Sequence, residues 1–271
     1  MSDLVTIEMK GHVADVRLDR PEKYNALSHE MFEAIIAAGE ELSARRDVRA
    51  VVLSGNGPGF CAGLDMASFA SMAKPSGGAA GNVAGSLLTR DDRPENFAQR
   101  PALVWRRVPA PVIAAIHGVA YGGGLQIALG ADIRIAAPDA RMSILEIKWG
   151  LIPDMSITQT LRDLVPLDVA KELTFTGRIL DGAAARELGL VTHVSENPLD
   201  RALALAEEIA SKSPDAIRRG KQLLETAWHG DARTGLELES KLQTELLGSP
   251  NQVEAIKANF EKRAPDFDDP E

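Results

Sequence analysis

Gly59-Phe60-Cys61-Ala62-Gly63-Leu64-Asp65 and Gly118-Val119-Ala120-Tyr121-Gly122-Gly123-Gly124 are the two stretches on which this chain turns. Each follows an apolar, β-branched run: Ala50-Val51-Val52-Leu53 before the first and Pro111-Val112-Ile113-Ala114-Ala115-Ile116 before the second. Each precedes residues that read as the start of a helix. A glycine turn between strand and helix leaves backbone N–H groups unpaired at the helix N-terminus. Those amides, with the positive end of the helix dipole, favour an anion or an oxygen gaining negative charge. One such turn only lets a strand enter a helix closely. Two in one chain can aim one amide each at the same oxygen, which is how an oxyanion hole is built.

The segments around the turns follow simple periodicities. Residues 5–10 and 13–18 alternate apolar and polar about Gly11-His12, the pattern of an antiparallel hairpin with one buried face. Pro21 ends the second strand, and Ser28 is placed to cap a helix over 29–44 with Met31, Ile35, Ile36 and Leu42 near one face. Residues 67–100 are the least regular part, with Lys74-Pro75-Ser76-Gly77-Gly78 and Arg90-Asp91-Asp92-Arg93-Pro94. A loop of this length is either functional or disordered, so it reads as a cover over the first turn or as plain surface. Beyond it come a helix around 103–107, strands at 133–136, 142–143 and 191–194, and short helices over 124–130, 158–164, 167–174 and 182–188. From Pro198 onward the pattern is helical and amphipathic, over 199–211, 215–226, 237–247 and 252–263.

Composition narrows the function classes. A chain of 271 residues with 45% hydrophobic and 25% charged residues builds one substantial globular core, or one core with an appendage. No apolar run approaches the roughly twenty residues that span a bilayer, and Met1-Ser2-Asp3-Leu4 carries no basic-then-apolar secretory pattern. The single cysteine, Cys61, excludes an intrachain disulfide framework and fits a reducing cytoplasm. A net charge of −9 argues against nucleic acid as the main partner. Local cations can still serve an anionic small molecule, the candidates being Lys23, Arg106, Arg107, Lys262 and Arg263. The five histidines show no metal-ligand spacing, so no metal is expected. Ser156 and Cys61 lack partners that would mark a nucleophile, and Gly122-Gly123-Gly124 has neither the spacing of a Rossmann fingerprint nor the lysine of a P-loop.

At its glycine turns the chain resembles the crotonase, or enoyl-CoA hydratase/isomerase, superfamily. The resemblance extends to 18–28 (Leu18-Asp19-Arg20-Pro21-Glu22-Lys23-Tyr24-Asn25-Ala26-Leu27-Ser28), 131–136, 146–153 and 260–267, in the family's order and over nearly the whole length. It implies an α/β fold, a crotonase-like spiral of ββα units. Residues 1–197 would form the spiral core carrying the acyl-CoA site, and 198–271 a C-terminal helical oligomerisation region building a trimer, with two trimers stacking into a hexamer. The implied substrate is an acyl-CoA thioester, with coenzyme A as its carrier and no prosthetic group. The amides of Leu64 and Gly123 would receive the thioester oxygen. Lys23, Tyr24, Ala26, Ala62, Gly63, Asp65 and Met66 would hold the coenzyme's adenine and phosphates, and Lys262 would reach a neighbouring subunit's coenzyme site.

The resemblance is less specific for the reaction, because one fold hosts several chemistries. Family hydratases carry two glutamates. One is present as Glu146, opening Glu146-Ile147-Lys148-Trp149-Gly150-Leu151-Ile152-Pro153; the other is replaced by Gln126. A carboxamide does not shuttle protons near neutral pH. Asp154, where hydratases usually have glycine, resembles a carboxylate of the family's dienoyl-CoA isomerases, although those also carry an acid at the place of Gln126. Asp154 is also placed to cap a helix near Thr158, the less favoured reading. Isomerisation with Glu146 as base and Asp154 as partner therefore leads. Hydration through a water held by Gln126 and Glu146 is the alternative, and a non-catalytic scaffold or RNA-binding module a remote one.

Overall fold

The computed structural model describes residues 3–66 and 87–270. Among these residues the main sheet has six strands. β1 (Val5–Lys10) and β2 (Val13–Leu18) form the expected antiparallel hairpin, with Val5 opposite Leu18 and Lys10 opposite Val13. β3 (Ala50–Gly55), β4 (Val112–Ile116), β6 (Ile133–Ala136) and β8 (His193–Val194) then add in parallel. Parallel strands covered on both faces read as unbroken apolar runs, and here alternate residues divide between two cores. Val51, Leu53, Ala114 and Ile116 face the larger core, whereas Ala50, Val52, Ile113 and Ala115 face a second one.

The helices follow from their caps and stripes. In α1 (His29–Ala44) the Ser28 Oγ accepts from the Met31 N–H at 3.3 Å, and Met31, Ile35, Ala38 and Leu42 are buried. Its Gly39 lets α2 (Arg100–Arg107) approach, since a Cβ there would stand 2.4 Å from a methyl of Val104. α2 begins earlier than the sequence suggests, because Asn96 and Gln99 form a reciprocal capping box just ahead of it. The cover expected over 67–100 falls largely on 67–86, outside the described residues.

The second glycine stretch contains a strand that the sequence did not announce. β5 (Val119–Tyr121) pairs in parallel with β7 (Arg141–Ser143), and Cys61 bridges to Ala120. Segments after β3, β4 and β6 thus lie side by side as a second, smaller layer, and α3 (Gly123–Leu129) leaves from its middle member. This recurrence gives the spiral of repeating units. α4 (Ile157–Thr160), α5 (Leu167–Thr176) and α6 (Gly182–Glu187) follow.

Among the last four helices, α7 (Pro198–Ala210) lies on the sheet and buries Ala202 and Ala206 against the second core. It therefore serves the core as well as opening the helical region. α8 (Pro214–Ala227), α9 (Ala232–Leu246) and α10 (Pro250–Glu261) pack mainly on one another. They leave Trp228, Leu236, Leu247 and Phe260 exposed, Phe260 at 85%.

Candidate active site

The two glycine turns touch. The Cys61 N–H donates to the Val119 carbonyl and the Tyr121 N–H to the Cys61 carbonyl, both at 3.0 Å. Gly63 (φ 87°) and Gly122 (φ 52°) occupy the left-handed region that glycine enters without a Cβ penalty. A Cβ on Gly63 would stand 2.6 Å from the Tyr121 carbonyl oxygen and 3.6 Å from the Gly123 nitrogen. Leu64 is held from behind by Leu27: the Leu27 N–H donates to Gly63 O at 2.8 Å and the Asp65 N–H to Leu27 O at 3.0 Å. These bonds use the groups flanking Leu64, so its own N–H faces the other way.

Across the turn, Ser143 O takes the Gly122 N–H at 2.9 Å, and the first bond of α3 runs from Gln126 N–H to Gly122 O at 3.0 Å. The Gly123 N–H is therefore one of the orphan donors of a helix start. Neither the Leu64 nor the Gly123 amide donates to an acceptor among the described residues.

A carboxylate lies against this pair of turns. Glu146 opens a 3₁₀ turn (Glu146–Trp149) closed by Gly150 in the left-handed region (φ 70°). A Cβ on Gly122 would meet the Glu146 Oε1 at 3.2 Å. Oε1 accepts from Gln126 Nε2 at 2.7 Å, whereas Oε2 is buried and has no hydrogen-bond partner among the described residues. Burial holds the Glu146 carboxyl above the ordinary glutamate range; its own backbone amide and Gln126 pull it back, and the Asp154 charge pushes it up.

Asp154 is not the cap of α4. The residue at that cap is Ser156, in the left-handed region (φ 72°), with no side-chain cap bond. Burial also raises the Asp154 carboxyl, with its own backbone amide opposing. Leu64, Gly123, Gln126, Glu146 and Asp154 thus gather at one place.

The coenzyme candidates divide. Lys23, Tyr24 and Ala26 run beside Ala62–Met66: the Ala62 N–H donates to Tyr24 O at 2.9 Å and the Ala26 N–H to Lys23 O at 3.0 Å. Lys23, Tyr24 and Met66 are exposed, and Ala26 is buried. Asp65 pairs with Arg20 at 2.6 Å, which fixes the loop next to Leu64. Lys262 stands apart at the end of α10. Its chain continues to Phe267, whose carbonyl accepts from Arg49 at the opening of β3, the end of the sheet opposite the glycine turns. Three other cations are committed elsewhere: Arg106 to Glu225, Arg107 to Glu95, and Arg263 to Glu254 and Glu261. Lys23 and Lys262 have no ion-pair partner among the described residues.

Sequence reasoning missed Arg20, Asn25 and Met155. Arg20 and Asn25 stand inside the 18–28 segment, but only contact with distant residues shows their work. Buried Asn25 (φ 55°) donates from Nδ2 to the carbonyls of Asn56, Gly59 and Phe60 at 2.9–3.1 Å, and its Oδ1 accepts from the Arg20 N–H at 2.8 Å. Met155 gives its N–H to Gln126 Oε1 at 2.9 Å, and its sulfur lies 2.6 Å from where a Gly123 Cβ would be. The Cys61 thiol is buried, donates to Asn25 O at 3.1 Å and is pushed up to about 12, which suits no nucleophile. His117 makes a structural contact, with Nε2 2.9 Å from Gly57 O. Among the described residues no group of three or more His, Cys, Asp or Glu could hold a metal ion.

Known proteins are similar to this chain in sequence and in fold. A family profile described as enoyl-CoA hydratase/isomerase matches residues 8–270. The mitochondrial enoyl-CoA hydratase domain-containing protein 2 of Mus musculus is 35% identical over 265 residues, covering 94% of this chain and 84% of that protein. A putative enoyl-CoA hydratase/isomerase of Bacillus subtilis is 34% identical over 268 residues, 97% of each. The crystal structure of an enoyl-CoA hydratase from Bacillus anthracis superposes with a TM-score of 0.86 at 30% identity, covering 97% of this chain and 98% of that one.

Proposed function

The chain belongs to the enoyl-CoA hydratase/isomerase family, and from that premise we propose that it shifts the double bond of an enoyl- or dienoyl-CoA thioester, with Glu146 as the base. The observation that carries this reading is the buried, unpartnered Oε2 of Glu146 beside two amides that donate to no described acceptor. A C–H proton of the acyl chain passes to Glu146, and its electron pair moves into the thioester, making an enolate. Leu64 and Gly123 N–H groups receive the enolate oxygen; removing one such donor costs about 10²–10³ in rate. A proton then returns at a different carbon, either from Glu146 itself or from a protonated Asp154 that regains its proton from Glu146 afterwards, so that atoms balance and only the double bond has moved. Two carboxylates raised by burial suit that exchange.

The coenzyme's adenine and phosphates lie, in this reading, along Lys23, Tyr24, Ala26 and Ala62–Met66, with Lys23, exposed and without an ion-pair partner among the described residues, as a phosphate partner. Lys262 of a neighbouring subunit would complete that site. The exposed apolar side chains of α8–α10 support a trimer or hexamer. The one buried cysteine suits a reducing cytoplasm, and no helix among the described residues is long and apolar enough to cross a membrane.

Hydration is the second reading, favoured by the word hydratase in the names of the similar proteins. Turnover of a panel of 2-enoyl, 3-enoyl and dienoyl thioesters, with isomers separated by chromatography, distinguishes the two. Isomerisation should dominate, and Glu146→Gln should lose about 10²–10⁴ of it. Asp154→Asn should lose substantially if Asp154 carries the second proton. Hydration at the enzymatic median of about 10 s⁻¹, with little isomerisation, would replace the first reading with the second. No turnover of any thioester, alongside RNA binding, would mark a scaffold.

A further inference from the structure

Gln126 is 1% exposed, and both ends of its carboxamide are engaged. Nε2 donates to Glu146 Oε1 at 2.7 Å, and Oε1 accepts from the Met155 backbone N–H at 2.9 Å. The orientation is dictated by its neighbours. Turned over, the amide would set its oxygen against the Glu146 carboxylate and its NH₂ against the Met155 N–H, two donor–acceptor mismatches. The side chain is therefore a clamp spanning three elements: α3, which carries it, the 3₁₀ turn of Glu146, and the Asp154–Met155 loop.

Three features of the site depend on this clamp. Oε1 of Glu146 is capped, so the carboxylate is held in one rotation with Oε2 left to meet a proton. The Met155 backbone is fixed, and its side chain then packs on Gly123, the residue bearing one of the two unpartnered amides. Asp154, the next residue back, is fixed along with it. Among the described residues the charge acting on Glu146 is that of Asp154, so a neutral donor at position 126 adds no further negative charge.

We propose that Gln126 is a positioning residue that presents Oε2 of Glu146 to the substrate and locks the Asp154–Met155 loop over the Gly123 amide. The proposal rests on Glu146 being the base. Its distinguishing prediction concerns the acid limb of the pH profile. With the donor gone, in Gln126→Leu, Glu146 keeps its burial and loses a bond to its charged form, so it binds its proton more tightly. In Gln126→Glu a second carboxylate stands at hydrogen-bond distance, and the pair shares a proton and titrates as a coupled unit. Both changes move the limb to higher pH.

The experiment is kcat and KM against pH for wild type, Gln126→Leu, Gln126→Glu and Glu146→Gln on the best thioester of the panel, with hydrogen exchange at the Met155 amide. Gln126→Leu should lower kcat by on the order of tenfold to a hundredfold, hold KM within about twofold, raise the acid limb and speed Met155 exchange. Gln126→Glu should also raise the limb, because the coupled pair gives up its shared proton only at higher pH. An unmoved limb in either folded variant overturns the proposal. If Gln126→Leu does not fold, the limb of Gln126→Glu decides alone. Full activity in Glu146→Gln would instead sink the reading of Glu146 as base, whatever position 126 does.

Discussion

The Tyr121 carbonyl oxygen occupies the space that a side chain on Gly63 would need: a Cβ there would stand 2.6 Å from it, closer than real Cβ contacts come. The two glycine turns are in backbone contact at this point, and this places Leu64 next to Gly123. Gly63→Ala therefore meets two penalties, a strained positive φ of 87° and the collision with backbone. The expected result is a loss of kcat of about 10²–10³, the cost of displacing one oxyanion donor. Steady-state kinetics read this, with the melting temperature as a check on folding. A kcat within a few-fold of wild type would mean that Leu64 N–H does not serve the reaction.

Burial raises the Glu146 carboxyl, and the sign of the pH effect follows. A base must be ionised, so kcat/KM should fall as pH drops through a value above the ordinary glutamate range of about 4.3. Stability runs the other way. A carboxyl raised in the folded state stabilises the fold fully below its unfolded pKa, and that contribution is lost as pH rises through the folded pKa. Glu146→Gln, which removes the buried charge, should therefore raise the melting temperature near pH 7, and this gain should shrink at pH 4. A lower melting temperature at pH 7 would show that the ionised form is the stabilised one.

Asn25 ties Arg20 to the loop that leads into the first glycine turn. Its Nδ2 lies within 2.9–3.1 Å of three carbonyls. Asn25→Ala leaves those buried acceptors short of a donor and puts alanine at a positive φ that asparagine tolerates better. A destabilisation of about 2–4 kcal/mol is expected, on the order of one or two unsatisfied buried groups, measured by urea unfolding. KM should rise as well, because the displaced segment adjoins Lys23 and Tyr24. A change below about 0.5 kcal/mol would make the knot incidental.

Lys23 and Lys262 are exposed and unpaired among the described residues, unlike Arg106, Arg107 and Arg263. Alanine at either should raise KM and steepen its salt dependence while kcat holds, since uniform binding is lost. For Lys262 this requires a neighbouring subunit. Light scattering should accordingly give three or six times 29.0 kDa. A monomer at micromolar concentration would remove the role of Lys262 and leave that of Lys23 standing.

Much of this molecule was legible in the order of its residues. The alternation in 5–10 and 13–18, the Ser28 cap, the β-branched runs at 50–53 and 112–116, and the proline-headed C-terminal helices are local signals, and each element appears within a residue or a few of its expected place. Glu146 and the two glycine stretches were legible for the same reason: positive φ and close backbone approach leave glycine as their mark. Long-range contact decided the rest. β5 is three residues between glycines and is a strand only because Arg141–Ser143 and Cys61 lie beside it. Of residues 191–194 only His193 and Val194 pair as strand, opposite Ile135 and Ala136 of β6. Asp154 had the composition of a cap and Gln126 that of a missing acid. Their surroundings made one a second carboxyl raised above its ordinary range, acting on Glu146, and the other a clamp. A side chain's type sets which hydrogen bonds and charges it can offer, but the partner that accepts them is set by which distant segments the fold brings within about 3 Å, and no local pattern in the chain encodes that distance.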